Sequence, residues 1–299
     1  MKIATLTQWR PRRIARRRRH DPFPGGSRLP LSRPARALRA LWRWLPVLLA
    51  GMFLPGAGAA GDESRLLKLQ AVPFTEVTLQ DAFWAPRRET NRLVSIPFSL
   101  QKLEEAGNLE DIRLAARGAT NGYRGPVFMD SDLYKALEAV AYSLATHPDP
   151  ALERQLEDII RLLAAAQQPD GYLNSHFIVK DPRGRWTNLR DWHELYCAGH
   201  LFEAAVAHYQ TTGRTSFLNI ATRFADYIDS VFGPPPKRAG YPGHPEIELA
   251  LVKLGRVTGN PRYFDLARFF LETRGQKFFA VEHQIPLDKY DGSYFQDDV

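Results

Sequence analysis

Two histidines stand just ahead of apolar helical runs, His193 in DWHELYCAGH and His244 in GHPEIELAL. The start of a helix is the positive end of its dipole and disfavours imidazolium, so both rings are expected to be neutral near pH 7. A neutral imidazole donates and accepts hydrogen bonds, which suits sugar hydroxyls. A third helix start, FMDSDLYK, brings Asp130 and Asp132, and the loop QQPDGYLNS brings Gln168, Asp170 and Tyr172. The candidate substrate-binding residues are therefore His193, His244, Asp130, Asp132, Gln168 and Tyr172. Plain capping is the competing reading. Asp191 reads as an N-cap with Glu194 three residues on, and Pro245 as a first helical residue with His244 at the cap. Capping accounts for Asp191, but it does not require histidine at either place.

The same segments offer other chemistry. Asp130 and Asp132 have the residue types of a glycosidase acid/base pair. At positions i and i+2 of a helix start they diverge by about 200°, so a cap or a hydrogen bond to a sugar fits them better. His193, Cys197, His200 and His208 fall at offsets 0, 4, 7 and 15 along one stripe. Two His and a Cys have the makings of a zinc site, but the spacing matches no zinc signature, and packing of an inner helix is preferred; no metal ligand is assigned in the chain. Trp186 and Trp192 suit sugar stacking and core packing equally.

These residues need a scaffold, and the pattern supplies one. Residues 74–84 alternate like one short strand. From about Arg88 apolar residues recur at helical spacing through Leu93, Ile96, Leu100 and Leu103. Three helical hairpins follow: Tyr134–Ala145 with Leu152–Ala166, His193–Gln210 with Ser216–Phe232, and Glu246–Arg256 with Arg262–Thr273. Gly213 and Gly259 hold equivalent places in the second and third links, 46 residues apart, where glycine closes a helix. Links within hairpins are short, whereas 167–192 and 232–245 are long and rich in Trp, Tyr, Pro and Gly. Long loops on one rim point to an all-α, (α/α)6 toroid rather than a uniform binding solenoid. If the hairpins are equivalent, the starts of their first helices share that rim. Seven helices are about half of such a ring, so the chain is expected to be an N-terminal portion. Apolar inner positions such as Leu249, Leu251 and Phe269 are then expected to be partly uncovered, leaving the isolated chain aggregation-prone or marginally folded.

The charge of the 299-residue chain is uneven. Its formal net charge of +7 conceals a leader, residues 1–59, with 13 Lys and Arg against one acid, and a remainder with 27 bases and 32 acids. Nucleic-acid binding by the remainder has little support. The apolar run Trp44 to Leu54 is too short for the roughly 20 residues of a membrane span. Ala57-Gly58-Ala59 has the form of a signal-peptidase site, so 1–59 reads as a signal peptide with a long basic region, 60–76 as a linker and 77–299 as the domain. Secretion or periplasmic export follows. A single cysteine, Cys197, excludes an internal disulfide.

The segments FMDSDLYKALEAVAY, AQQPDGYLN, WHELYCAGHLFEAAVAHYQTTG and GHPEIELALVKLGRVTGNPRYFDLARFFLETRG, in that order, resemble the β-L-arabinofuranosidases of glycoside hydrolase family 127. The resemblance runs from about Val77 to Val299. It implies an (α/α)6 catalytic barrel followed by β-sandwiches, and removal of terminal β-L-arabinofuranose with retention. It further implies a zinc-bound cysteine thiolate as nucleophile, a glutamate acid/base, and zinc held by one Glu and three Cys. The family's substrate-contacting histidines fall on His193 and His244. Its Cys-Cys pair, zinc ligands and acid/base glutamate are expected beyond Val299, and Cys197 lies in the wrong motif to be the nucleophile. No catalytic residue is assigned in this chain, which is expected to be inactive alone; zinc belongs to the full-length protein, and the partner is an L-arabinose-containing glycan. Two other readings are another α/α-toroid enzyme, such as an unsaturated uronyl hydrolase or lyase using Asp130 or Asp132 as acid, and a non-catalytic carbohydrate-binding scaffold.

Overall fold

The computed structural model describes residues 71–292. The leader, its cleavage site and most of the 60–76 linker lie outside the described residues. The expected strand over 74–84 does not form, and among the described residues the only β pairing is an isolated bridge between Phe232 and Arg238. Phe74–Glu76 is a single 3-10 turn. Asp81 then accepts the amide hydrogens of Phe83 (2.9 Å) and Trp84 (2.6 Å), two donors that a helix start leaves unpaired. An alternating segment needs a neighbouring edge to complete its ladder. Instead, Phe74 packs edge-on against the ring of Tyr142.

Helix α1 (Trp84–Thr90) passes through a π turn at Asn91–Ser95 into α2 (Ile96–Ala106), and α3 (Asn108–Ala116) follows one glycine later. The first hairpin is α4 (Met129–Thr146) with α5 (Pro150–Ala166). A short α6 (Ser175–Val179) lies in the long loop before α7 (Glu194–Thr212), which pairs with α8 (Ser216–Val231). Last come α9 (Ile247–Thr258), α10 (Pro261–Thr273) and the short α11 (Phe278–Glu282). The three hairpins agree with the sequence pattern to within a few residues, because their ends are chemically marked. Asp149 caps α5 ahead of Pro150, and Asn260 caps α10 ahead of Pro261. Gly213 and Gly259 close α7 and α9 at φ 70° and 69°, the left-handed conformation glycine adopts without strain. Helices α3, α6 and α11 do not follow from the hairpin pattern, although Asn174 caps α6 through its side chain.

The hairpins form two layers. Helices α4, α7 and α9 lie side by side with α7 in the middle, and α5, α8 and α10 back them. Of the 19 residues of α7, 13 are buried, among them Ala198, Gly199, Ala204, Ala205 and Ala207, whose small size admits neighbours on both sides. The backing helix α8 buries one stripe, Phe217, Phe224 and Ile228, each contributing on the order of 1.5–3 kcal/mol. The expectation of bare inner positions holds for Leu249, which is 56% exposed, but not for Leu251, which is fully buried one helical face away. No described helix is long and apolar enough to cross a membrane.

Candidate active site

The first turns of the inner helices meet. Phe128 precedes α4, His193 precedes α7, and His244 lies two residues ahead of the cap of α9. The His193 ring is centred 5.3 Å from Phe128, 5.6 Å from Tyr196 and 5.0 Å from His244. Tyr196, three residues into α7, also faces His244 at 5.8 Å. Its hydroxyl accepts a hydrogen bond from Lys135 Nζ of α4 at 3.0 Å. One face of α7 is thus flanked by a lysine from α4 and a histidine from the approach to α9.

His193 itself caps α7 without a side-chain bond. Its backbone sits at φ 56°, a conformation costing a β-carbon-bearing residue about 1–2 kcal/mol. Its Nδ1 lies 2.5 Å from the carbonyl oxygen of Asp191. A carbonyl only accepts, so Nδ1 carries the hydrogen and the neutral ring offers Nε2 as an acceptor. Burial holds the imidazole below its ordinary pKa, against the Asp191 carbonyl, with smaller help from the nearby His244 and Lys135 charges. For His193 the shift runs in the direction expected from the helix dipole, with burial as the main cause.

The capping arrangement differs from the sequence expectation at both histidines. Asp191 is not the cap of α7; its carboxylate accepts from Arg190 and Asn188 instead. Glu194 therefore stands at the first helical position and turns away from the helix end. It accepts the Tyr172 hydroxyl at 2.5 Å and the Trp186 amide at 2.6 Å. Burial pushes this carboxyl up to about 8 despite both donors. Glu194 binds the long loop to the α7 start that carries His193. In α9 the cap is Glu246, not His244, and the Glu246 amide donates to Glu248 Oε2 at 3.0 Å.

The other sequence candidates scatter. Asp130 is buried, and its two oxygens accept the Ser175 amide (2.7 Å) and hydroxyl (2.5 Å), tying α4 to α6. Tyr172 is fully buried, packed edge-on against Trp186, Phe224 and Tyr227. Gln168 makes a loop turn, its side chain donating to the Ala166 carbonyl. Asp132 is exposed, 3.8 Å from Lys135, and lines with it, Asn91 and Ser99 a groove of about 530 Å³ between α1–α2 and α4. Trp186 and Trp192 are packing residues, the first 5% exposed at φ 62°, the second against Phe177.

The stripe on α7 disperses in the same way. Cys197 is buried with Sγ 3.9 Å from the Phe128 carbonyl, and burial pushes its thiol well above the ordinary value. His208 is held by Glu157 at 3.0 Å and His200 by Glu246 at 3.2 Å. Among the described residues no three His, Cys, Asp or Glu side chains are grouped to hold a metal. The described residues therefore do not fit the zinc that the family resemblance implies. Sequence reasoning passed over Lys135, Tyr196 and Glu246. Tyr196 was legible, because it follows His193 by three positions and shares its helical face; Lys135 and Glu246 are recruited from other helices.

Paired helices whose inner members bring their first turns to one rim define part of an α/α toroid. Residues 76–299 match the β-L-arabinofuranosidase GH127 catalytic domain, and the chain belongs to that family. It is 38% identical over 232 residues to the non-reducing end β-L-arabinofuranosidase of Bifidobacterium longum subsp. longum, a match covering 69% of this chain and 35% of that protein. Among solved structures it is similar to a GH127 β-L-arabinofuranosidase from Geobacillus stearothermophilus T6, with 46% identity and a TM-score of 0.69 over 73% of this chain and 36% of that one. A second GH127 β-arabinofuranosidase matches with 38% identity and a TM-score of 0.66, over 71% of this chain and 36% of that one. The chain thus spans about a third of the length of these relatives.

Proposed function

We propose that this chain supplies the sugar-binding wall of an exported β-L-arabinofuranosidase acting on L-arabinofuranose-containing glycans. The observation that carries the reading is the apposition of His193 and His244 on a rim shared by three helix starts. His193, its Nδ1 hydrogen committed to the Asp191 carbonyl, accepts a sugar hydroxyl through Nε2. Tyr196 and Lys135 border the same space. Membership of the GH127 family and the named activity of the Bifidobacterium relative support the sugar assignment.

The chemistry at the anomeric carbon is assigned elsewhere. In the proposed reading, zinc, its thiolate nucleophile and the acid/base glutamate come from protein outside these 299 residues, and zinc would supply a low-pKa sulfur. The residues here bind and orient the sugar. The basic leader with its Ala57-Gly58-Ala59 site supports export to the periplasm or beyond. The uronyl-hydrolase alternative loses support at Asp130, whose two oxygens are both engaged by Ser175 in the interior.

Titration of the chain with L-arabinose, monitored by histidine ring NMR, tests the binding role. Shifts at His193 and His244 are expected, and their absence at high sugar concentration would overturn it. N-terminal sequencing of the exported protein tests the leader. A mature terminus near Ala60 is expected, and retention of the first 59 residues would overturn export by this signal.

A further inference from the structure

Behind the two histidines lies a contact that sugar binding does not itself require. Gly199 of α7 faces the start of α9 so closely that a β-carbon there would stand 2.6 Å from Glu246 Cγ and 2.9 Å from the Ile247 nitrogen. The next residue, His200, places Nδ1 3.2 Å from Glu246 Oε1. The His200 ring also stands edge-on to Tyr196, with centroids 4.5 Å apart at 85°. Tyr196 in turn touches both rim histidines. Glu246 is the cap of α9, and only Pro245 separates it from His244. One short path therefore runs from α7 through His200 to Glu246 and to the backbone that presents His244.

We infer that His200 and Glu246 are positioning residues which clamp the start of α9 onto α7 and so hold the His244 ring against His193. The inference rests on the sugar-binding reading of those two histidines.

The surroundings argue that this pair is not there for stability. Glu246 is half-buried, and burial, with the Glu203 and Glu138 charges adding, pushes its carboxyl up to about 7 against the opposing Lys253 and Lys135 charges. His200 is driven down to about 4, by burial first and then by Lys135. Its Nε2 is buried with no hydrogen-bond partner. A carboxyl and an imidazole whose charged forms are both penalised are a poor means of gluing two helices, since an apolar pair of similar volume is often as stable or more so. What they provide that an apolar pair lacks is a polar contact at one point, His200 Nδ1 against Glu246 Oε1 at 3.2 Å, which fixes where the α9 cap meets α7.

Two variants of the full chain, Glu246→Gln and Glu246→Leu, separate positioning from stability, with His200→Ala reporting the other partner. Three quantities are read: the melting temperature, the nuclear Overhauser contact between the His193 and His244 rings, and L-arabinose affinity by NMR titration. Positioning predicts that Glu246→Leu melts no lower than the parent, yet loses the ring contact and binds about tenfold more weakly. Glu246→Gln, which keeps a polar oxygen at the same reach, is expected to recover most of both, and His200→Ala to resemble the leucine variant. If Glu246→Leu keeps the ring contact, the inference is wrong. It is equally wrong if contact and affinity fall only in proportion to melting temperature. If the parent chain does not bind L-arabinose, the sugar-binding reading fails, and the ring contact in parent and variants still decides the clamp.

Discussion

The rings of His193 and His244 lie 5.0 Å apart and tilted by 33°, although 51 positions separate them in the chain. Each arrives on the approach to a different inner helix, so the pair exists only when α7 and α9 pack. Replacing both by alanine is expected to abolish measurable L-arabinose binding while changing stability by less than about 1 kcal/mol, since both rings are only partly buried at a rim. Calorimetric titration together with thermal melting checks both halves of that expectation.

Gly199 allows α9 to approach α7, and the added carbon of Gly199→Ala would meet backbone as well as side chain. Overpacking of this kind costs roughly 1–3 kcal/mol. Because the displaced segment carries His244, sugar affinity is expected to fall along with stability. The same substitution at Gly213 meets nothing within 4 Å. There the cost is only that of a left-handed backbone, about 1 kcal/mol, with affinity unchanged. Denaturant unfolding of the two variants side by side distinguishes steric from conformational cost.

Glu194 gives stability a pH dependence. Its carboxyl is raised from 4.5 to about 8 in the fold, chiefly by burial, so the native state keeps a proton that the unfolded chain releases. The contribution is complete below about pH 4.5 and is lost as pH rises through about 8. A shift of this size is worth on the order of 3–5 kcal/mol. Glu246, raised to about 7, and Asp111, raised to about 6, slope in the same direction. Glu194→Gln should therefore flatten, without abolishing, the fall in melting temperature between pH 5 and pH 8.5. An unchanged slope would show that Glu194 is ionised in the fold throughout that range.

Asp130 and Asp132 are neighbours with opposite fates. Removing the Asp130 carboxylate leaves the buried Ser175 amide and hydroxyl unpaired, so Asp130→Ala is expected to cost about 2–4 kcal/mol. Asp132→Ala, at an exposed position with a loose contact to Lys135, should stay within about 0.5 kcal/mol. Urea denaturation of both variants provides the comparison.

The amino-acid sequence by itself determined the hairpins, their order and the two histidines. Apolar spacing, Asp149 and Asn260 ahead of prolines, and Gly213 and Gly259 at helix ends are local signals, written within a few residues of the structure they cause. It also determined family membership, because long motifs survive in order. It misled where the partner of a residue lies far along the chain. The alternating segment near Phe74 lacked a strand to pair with, and Glu194, expected to partner an Asp191 cap, turned to the loop holding Tyr172 and Trp186. Asp130 and Tyr172, which looked available for sugar, were drawn inside by Ser175 and Glu194. Only the packing of α4, α7 and α9 decided which side chains share a surface, bringing Lys135 to Tyr196 and Glu246 to His200. Helical periodicity states which face a residue occupies; which neighbour that face meets depends on how close two backbones come, and at Gly199 that distance is set by a single missing carbon.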